Sequence, residues 1–269
     1  MTKIKPPLIF FGNGFLADVV KAVLAPETEI IFHARTKEDL EVVKRLKKER
    51  PEVHGVLASY GVLIKSDVLN LFEPEGILNI HPSLLPDLRG SSPIESAILR
   101  GDTVFGVSIM KLVKGMDAGP IFYQNTLEFN ENTPKFTIYT ALAENGAKWL
   151  LDHLSEDARA SKMPLSASQD DSKATFCGKL QTSQSELQPA LKSAKTLHNE
   201  VRAYAKFPKS RYQFYGHDCI IHQTHLSDHA ENDLSLKCQD GMFLCIDELQ
   251  PAGKRRMDAK SFLNGYKKL

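Results

Sequence analysis

The sequence predicts an α/β protein with a doubly wound, mostly parallel sheet of Rossmann-like type, followed by a small OB-type β-barrel. In the first half, short apolar runs alternate with helical periodicity, which is typical of βαβ units in a parallel sheet. In the last third, short strand-like runs are separated by tight turns, which is typical of a small barrel. We therefore predict an α/β domain over residues 1–155, a linker over 156–188 and a barrel domain over 189–269.

The first domain opens with strands that alternate with helices. The predicted strands are Leu8–Phe11, Glu29–His33, Gly55–Ser59 and Ile77–Ile80. The predicted helices are Phe15–Leu24, a segment from Thr36 to Pro51 that begins like a capping box with Asp39, and a short helix capped by Ser66. Further along are the strand-like runs Val104–Leu112 and Ile121–Phe129, and a long helix that begins at Pro134 and ends near Leu154.

The remainder of the chain changes character twice. Residues 155–188 are rich in Ser, Asp, Lys and Ala with little periodicity, so we expect a linker lying over the surface. One helix over Thr196–Ala205 then precedes the strands of the barrel, which are Tyr212–Tyr215, Cys219–His225, Leu234–Cys238 and Met242–Leu249.

Composition narrows the class of protein. Of 269 residues, 42% are hydrophobic and 25% charged, as in globular domains, and no apolar run is long enough to span a bilayer. The first residues lack the apolar stretch of a secretory signal, and the four cysteines show no paired spacing, so we expect a cytoplasmic protein with reduced thiols. From residue 189 onward, 13 Lys and Arg against 9 Asp and Glu make that part mildly basic.

A glycine-rich turn follows the first strand. Gly12–Ala17 matches the pattern G-x-G-x-x-A, which can bind the pyrophosphate of a dinucleotide. The second strand does not end with the acidic residue that would hold a ribose hydroxyl; His33 and Arg35 stand there. The turn is therefore interpreted chiefly as structural, with NADP binding as the minor alternative.

A sharper pattern ends the fourth strand. Asn79 and His81 are two residues apart, so their side chains project to the same side, at the edge where such sheets bind ligands. Two prolines stiffen the loop that follows. We expect the backbone N–H groups of Ser83, Leu84 and Leu85 to remain available to a ligand.

Asp117 lies in a glycine-containing loop and completes a set suited to acyl transfer to an amine. The amide and the imidazole can stabilise a tetrahedral oxyanion, and a carboxylate beside them can organise the proton transfers. Such a reaction requires no nucleophilic serine or cysteine. Each residue taken alone is also compatible with an ordinary structural hydrogen bond.

The runs Asn79–Pro86, Arg89–Gly90 and Gly106–Met110, followed by Met116–Pro120, resemble the signature of the folate-dependent formyltransferases. That resemblance implies a catalytic set of Asn79, His81 and Asp117, and 10-formyltetrahydrofolate as formyl donor, with no metal. It also implies a folate pocket formed by three segments, namely Ser83, Leu84, Leu85 and Pro86; Tyr60, Gly61, Val62 and Leu63; and Val113, Lys114, Gly115 and Met116.

The second half resembles the methionyl-tRNA formyltransferase branch of that family. The segments concerned are Gln169–Asp171, Ala174–Phe176, Arg202–Tyr204, Ile246–Gln250 and Phe262–Tyr266. This resemblance implies that the acceptor is the amine of initiator methionyl-tRNA. We also expect the protein to be a monomer. The family's long basic loop after the second strand is missing, so glycinamide ribonucleotide and amino-sugar nucleotides stay open as acceptors. The candidate tRNA contacts are Arg35, Lys37, Lys206, Lys209, Arg211, Lys254, Arg255 and Arg256.

A group of potential metal ligands lies in the predicted barrel. His217, Cys219, His222 and His225 fall within nine residues. Alternation along a strand puts His222 and His225 on opposite faces, so we expect no shared metal ion.

Overall fold

The computed structural model describes residues 7–154 and 164–267. The chain forms two compact units, one running to Ile94 and resuming over Val104–Gly178, the other comprising Glu95–Thr103 and the chain from Lys179 onward. Residues 155–163, which include the start of the predicted linker 156–188, lie outside the described residues. The predicted domain limits therefore stay a prediction.

A mixed sheet forms the centre of the first unit. The strands of this unit up to Glu128 are β1 (Pro7–Gly12), β2 (Glu29–Ala34), β3 (His54–Ala58), β4 (Ile77–His81), β5 (Arg89–Gly90), β6 (Val104–Lys111) and β7 (Ile121–Glu128). Across the described part of the chain, six of these form one sheet in the order β2-β1-β3-β4-β6-β7. The first four are parallel, while β6 and β7 are antiparallel to their neighbours. Every residue of β1 and β4 is buried, as expected of central strands covered on both faces.

The helices of the chain up to Leu154 follow the predicted alternation with one addition. They are α1 (Gly14–Leu24), α2 (Asp39–Glu49), α3 (Ser66–Leu69), α4 (Pro93–Arg100) and α5 (Lys135–Leu154). Helix α4 was not predicted, although it begins with a proline, which suits a first helical turn. Two predicted caps were wrong: Ser66 is the first residue of α3 rather than its cap, and α2 begins at Asp39. The Asp39 carboxylate still accepts from the N–H of Thr36, so half of the capping box forms.

The described part of the predicted linker is not merely irregular surface chain. Phe176–Cys177 forms strand β8, which pairs in parallel with β5, and Cys177 is buried. Short 3₁₀ turns cover Asp171–Lys173 and Thr182–Gln184. This corrects the expected lack of structure, because backbone pairing rather than side-chain periodicity holds the segment in place.

The second unit is the predicted small antiparallel domain. Its elements are α6 (Ala194–Ala203), β9 (Ser210–Phe214), β10 (His217–Ser227), β11 (Leu236–Lys237), β12 (Phe243–Pro251), β13 (Met257–Asp258) and α7 (Ala259–Tyr266). Over the residues described, these strands form one sheet in the order β11-β12-β10-β9, with β13 beside β12. The core packs Leu197 and Phe262 of the two helices against Leu244 and Leu249 of β12. The predicted fold class, an α/β domain followed by a barrel-like β domain, is confirmed.

Among the described residues, no helix is both long enough and apolar enough to cross a membrane.

Candidate active site

Strand β4 buries two polar side chains on one face of the central sheet. Asn79 and His81 are each only 4% exposed, while Leu78 and Ile80 between and beside them are buried in the core. Both polar side chains reach the carboxylate of Asp117, as the two-residue spacing predicted. Burying an amide and an imidazole is unfavourable unless they find polar partners, so this pair marks a candidate site.

Asp117 lies at the centre of this group. Its Oδ1 is 3.5 Å from Asn79 Nδ2, and its Oδ2 is 3.7 Å from His81 Nδ1. The same Oδ2 accepts a hydrogen bond of 2.8 Å from the backbone N–H of Gly90. The backbone of Asp117 is left-handed, with φ of 46°, which is unfavourable for a residue with a side chain and is found preferentially at functional sites.

The hydrogen bonds of His81 assign its two ring nitrogens. Nε2 lies 3.0 Å from the carbonyl oxygen of Leu88, which can only accept, so Nε2 carries a proton. Nδ1 therefore faces Asp117 and the reaction space. Only the protonated imidazole can donate from Nδ1, so this nitrogen offers a hydrogen bond or a proton when the ring is charged.

The loop Ser83–Pro86 is bound to the sheet beneath it. The buried hydroxyl of Ser108 donates to the Ser83 carbonyl at 2.6 Å and accepts from the Leu85 N–H at 3.1 Å. The Ser83 N–H donates to the His81 carbonyl. The expectation that the N–H groups of Ser83 and Leu85 are available to a ligand was therefore wrong, because the sheet already uses them. Gly106 has no side chain where Leu84 packs, since a Cβ there would lie 2.2 Å from Leu84 Cγ.

The other two predicted pocket segments differ in exposure. The Tyr60 ring packs edge-on against Phe11 in the core, and its hydroxyl donates to the Thr36 carbonyl. Burial raises the pKa of Tyr60 to about 12, so this phenol stays protonated. Gly61 and Leu63 beyond it are exposed, Leu63 by 73%, and Val62 is partly covered.

The loop after β6 presents the third segment. Met116 is 64% exposed, Lys114 and Gly115 are also exposed, and Val113 is half-buried. Exposed large apolar side chains such as Leu63 and Met116 are available to cover an apolar ligand. The assignment of these segments to a folate pocket stays a prediction.

Sequence reasoning missed two residues that support the Asp117 loop, Gln169 by direct contact and Arg89 through Gln169. Arg89 is 4% exposed, and its guanidinium donates twice to Gln169 Oε1, at 3.0 and 2.7 Å. The Gln169 amide in turn donates to the carbonyl oxygens of Asp117 and Gly119. Both residues occur in runs that carry the family resemblance, but no spacing or periodicity connects positions 80 residues apart.

The glycine-rich turn has a steric explanation. A Cβ on Gly12 would lie 2.4 Å from the Ala58 carbonyl oxygen and 2.8 Å from Ala17 Cβ, so glycine is required where β1, β3 and α1 meet. The ring of His33 contacts the Gly12 carbonyl through Nε2, and burial lowers its pKa. These contacts account for the turn without a dinucleotide.

The cations predicted for tRNA fall into separate groups. Arg35 and Lys37 are exposed after β2. In the second unit, Lys209 and Arg256 both lie close enough to His222 to lower its pKa, to which burial contributes most. The remaining cations of this set, which are Lys206, Arg211, Lys254 and Arg255, are exposed.

The histidines of the barrel include one with two acidic neighbours. His225 Nδ1 is 2.8 Å from Asp247 and its Nε2 is 2.9 Å from Glu231, and the hydrogen bond to Glu231 is the main reason that its pKa is raised. Cys245 Sγ lies within 4.8 Å of the His225 and Glu231 ligand atoms. With both ring nitrogens bound to carboxylates, we interpret His225 as a charged bridge within the domain.

Comparison with known proteins identifies the family. Residues 15–154 match the model of the formyl transferase domain, and residues 179–267 match that of the formyl transferase C-terminal domain. The chain is 35% identical over 247 residues to a methionyl-tRNA formyltransferase of Methylobacillus flagellatus, covering 87% of this chain and 78% of that protein.

Two solved structures share the fold. HypX from Aquifex aeolicus superposes with a TM-score of 0.73 at 17% identity over 97% of this chain, which spans 49% of HypX. The methionyl-tRNA formyltransferase of Clostridium thermocellum superposes with a TM-score of 0.65 at 16% identity, over 92% of this chain and 99% of that one. The two matching domain models and the identity to the relative show that this chain belongs to the formyl transferase family.

Proposed function

We propose that this protein transfers the formyl group of 10-formyltetrahydrofolate to the α-amine of methionyl initiator tRNA by direct attack of the amine. The observation that carries the proposal is the convergence of the buried Asn79 and His81 side chains on Asp117. The relative from Methylobacillus flagellatus, which is named for this reaction, supports the choice of acceptor.

The chemistry follows from what each group can donate or accept. The neutral amine adds to the formyl carbon, a C–N bond forms, and the carbonyl oxygen becomes an oxyanion. The amide N–H of Asn79 and Nδ1–H of the protonated His81 donate to this oxyanion; one such donor typically contributes ~2.7–4 kcal/mol to transition-state stabilisation. Asp117 accepts the proton of the attacking nitrogen. As the carbonyl re-forms, the bond to folate N10 breaks, and N10 takes a proton from His81.

Direct attack also fits the state of the nearby hydroxyls. Ser83 Oγ donates to the Asp87 carbonyl and Ser108 Oγ donates to the Ser83 carbonyl, each at 2.6 Å. Neither hydroxyl has the adjacent base that a nucleophilic serine requires. The formyl group therefore passes from folate nitrogen to amine nitrogen without an enzyme-bound ester.

The acceptor contacts that we propose are cations of both units, which are exposed apart from the half-buried Lys209. Lys209 and Arg256 lie near the same histidine in the second unit, and Lys254 and Arg255 continue this basic surface along the chain. Arg35 and Lys37 provide positive charge on the first unit. We expect the protein to be cytoplasmic and monomeric. Size-exclusion chromatography with light scattering tests the oligomeric state.

The direct test of the acceptor is to incubate the protein with 10-formyltetrahydrofolate and charged initiator tRNA, and to detect formylmethionine by mass. If phosphate contacts dominate, log Kd for tRNA changes with log salt concentration by about 0.7 to 0.9 per phosphate neutralised. Neutralising Lys254, Arg255 and Arg256 together reduces that slope and leaves binding of a folate analogue unchanged. Formylation of a small amine, with salt-independent rates and no competition by tRNA, would overturn the proposed acceptor.

A further inference from the structure

Residues 167–177, which follow the first unit's long helix α5 along the chain, connect the Asp117 loop with the loop that follows His81. At one end, Ala167 pairs with Ile121 through two backbone hydrogen bonds of 2.8 Å, next to the Asp117 loop. At the other end, β8 pairs with β5, directly after the loop that follows His81. Residues 167–177 therefore lie across both loops of the site.

Gln169 and Arg89 form the middle of this connection. The Gln169 side chain uses both ends of its amide: Nε2 donates to the carbonyl oxygens of Asp117 at 2.8 Å and Gly119 at 2.7 Å, and Oε1 accepts two N–H groups from Arg89. Arg89 also pairs with Asp171 at 2.8 Å. Hydrogen bonds from a cation are stronger than those between neutral groups, and two N–H groups that converge on Oε1 fix the direction of the amide.

Hydrogen bonds hold the side chain of Asp117 as well as its backbone carbonyl. The residue after Arg89, Gly90, donates its backbone N–H to the Asp117 carboxylate, while Arg89 holds the Asp117 carbonyl through Gln169. A Cβ on Gly90 would lie 2.0 Å from the Cys177 carbonyl oxygen, so this backbone approach requires glycine. The dipeptide Arg89–Gly90 thus positions both ends of a residue whose left-handed backbone is unfavourable in isolation.

We propose that Gln169 and Arg89 are positioning residues, which hold Asp117 in its left-handed conformation so that its carboxylate faces Asn79 and His81. Arg89 is buried and does not reach the reacting atoms itself in this arrangement; its effect passes through Gln169 and Gly90. This inference rests on the proposed function, because it assigns the support of the carboxylate that accepts the proton.

The test uses the full-length protein and the variant Gln169→Met, which keeps the length of the side chain and removes all four hydrogen bonds. Displacing a catalytic group by ~1 Å lowers rates by up to about a hundredfold, so we expect kcat to fall about ten- to a hundredfold. KM for 10-formyltetrahydrofolate should change less than threefold, and the pH–rate profile should shift because proton transfer is affected. The matched control is Gln184→Met, an exposed glutamine whose amide bonds to the backbone of Gln181; its kinetics should match wild type.

A double-mutant cycle separates positioning from general structural support. If Gln169 acts through Asp117, then adding Gln169→Met to Asp117→Asn lowers kcat by less than about twofold further, whereas independent effects multiply. The proposal is overturned if the single variant retains more than about a third of wild-type kcat, or if the two losses multiply. Fluorescence of Trp149, the single tryptophan, monitors folding of the first unit in every variant. A wild-type protein that makes no formylmethionyl-tRNA would refute the proposed function instead, so the two failures are distinguishable.

Discussion

Replacing Ser108 by alanine tests whether the sheet holds the predicted folate loop. The side chain is 0% exposed, and its hydroxyl bonds to the Ser83 carbonyl, the Leu85 N–H and the Gln124 amide. Alanine removes the oxygen while changing the volume little. The backbone groups of Ser83 and Leu85 then lose their partner in a place where water has little access.

The magnitude follows from the groups left without partners. Each buried polar group that loses its hydrogen bond is destabilising by about 1–3 kcal/mol. Gln124 Nε2 keeps its other bond, to the Leu85 carbonyl at 2.8 Å, so only the Ser83 carbonyl and the Leu85 N–H are affected. For these two groups together, we expect the free energy of unfolding to fall by about 2–6 kcal/mol. KM for 10-formyltetrahydrofolate should rise several-fold, because the loop that we assign to folate loses its fixed geometry.

The assay is urea unfolding followed by Trp149 fluorescence, which reports on the first unit, together with steady-state formylation. The matched control is Thr28→Val, which removes a buried hydroxyl with one hydrogen bond, to the Leu24 carbonyl, and should lower stability by about 1 kcal/mol with no effect on KM. A Ser108→Ala protein as stable as this control would refute the hydrogen-bond reasoning. Lower stability with an unchanged KM would remove the loop from the folate site.

The remaining predictions concern the catalytic set and one histidine of the second unit. Asn79→Ala and His81→Ala should each lower kcat about a hundred- to a thousandfold with little change in binding of a folate analogue; retention of more than about a third of activity would contradict the oxyanion assignment. Asp117→Asn should lower kcat and move the pH–rate profile, and an unchanged profile would reduce Asp117 to a structural role. Because the pKa of His225 is raised in the folded state, its stabilising contribution is present below its unfolded pKa of 6.5 and is lost as pH rises through the folded pKa. In thermal unfolding, the wild-type protein should therefore be slightly more stable than His225→Gln at acidic pH and lose this difference toward alkaline pH; the difference is small because the ring is 44% exposed. The control is His217→Gln, because the ring of His217 packs against Tyr266. Equal pH dependence of stability in all three proteins would contradict the interpretation of His225.

The sequence predicted those parts of the site that depend on local geometry. The spacing of Asn79 and His81 predicts a common direction because side chains alternate along a strand, and the structure brings both to Asp117. The alternation of strands and helices predicted the parallel sheet in the same way. Such patterns predict the structure correctly because they depend on residues that are close together in the sequence.

The parts that were missed depend on contacts between distant segments. Gln169 lies in a polar stretch with no periodicity, and the pairing of β8 with β5 and of Ala167 with Ile121 brings it beside Arg89. The N–H groups of Ser83 and Leu85 were expected to be free, because nothing in the sequence shows that the loop folds back on the sheet. The burial of Tyr60 in the core could not be predicted for a similar reason, because an aromatic residue after a strand can equally well line a pocket or pack in a core.

The central claim is direct transfer of the formyl group from folate to the methionyl amine. The most direct measurement is a single-turnover experiment with 10-formyltetrahydrofolate that carries a radiolabelled formyl group, with protein in excess. After incubation with the donor alone, we predict no label on the denatured protein; when charged initiator tRNA is added, all transferred label should be found as formylmethionine. Label that stays covalently bound to the protein before tRNA is added, and then moves to the tRNA, would contradict direct attack.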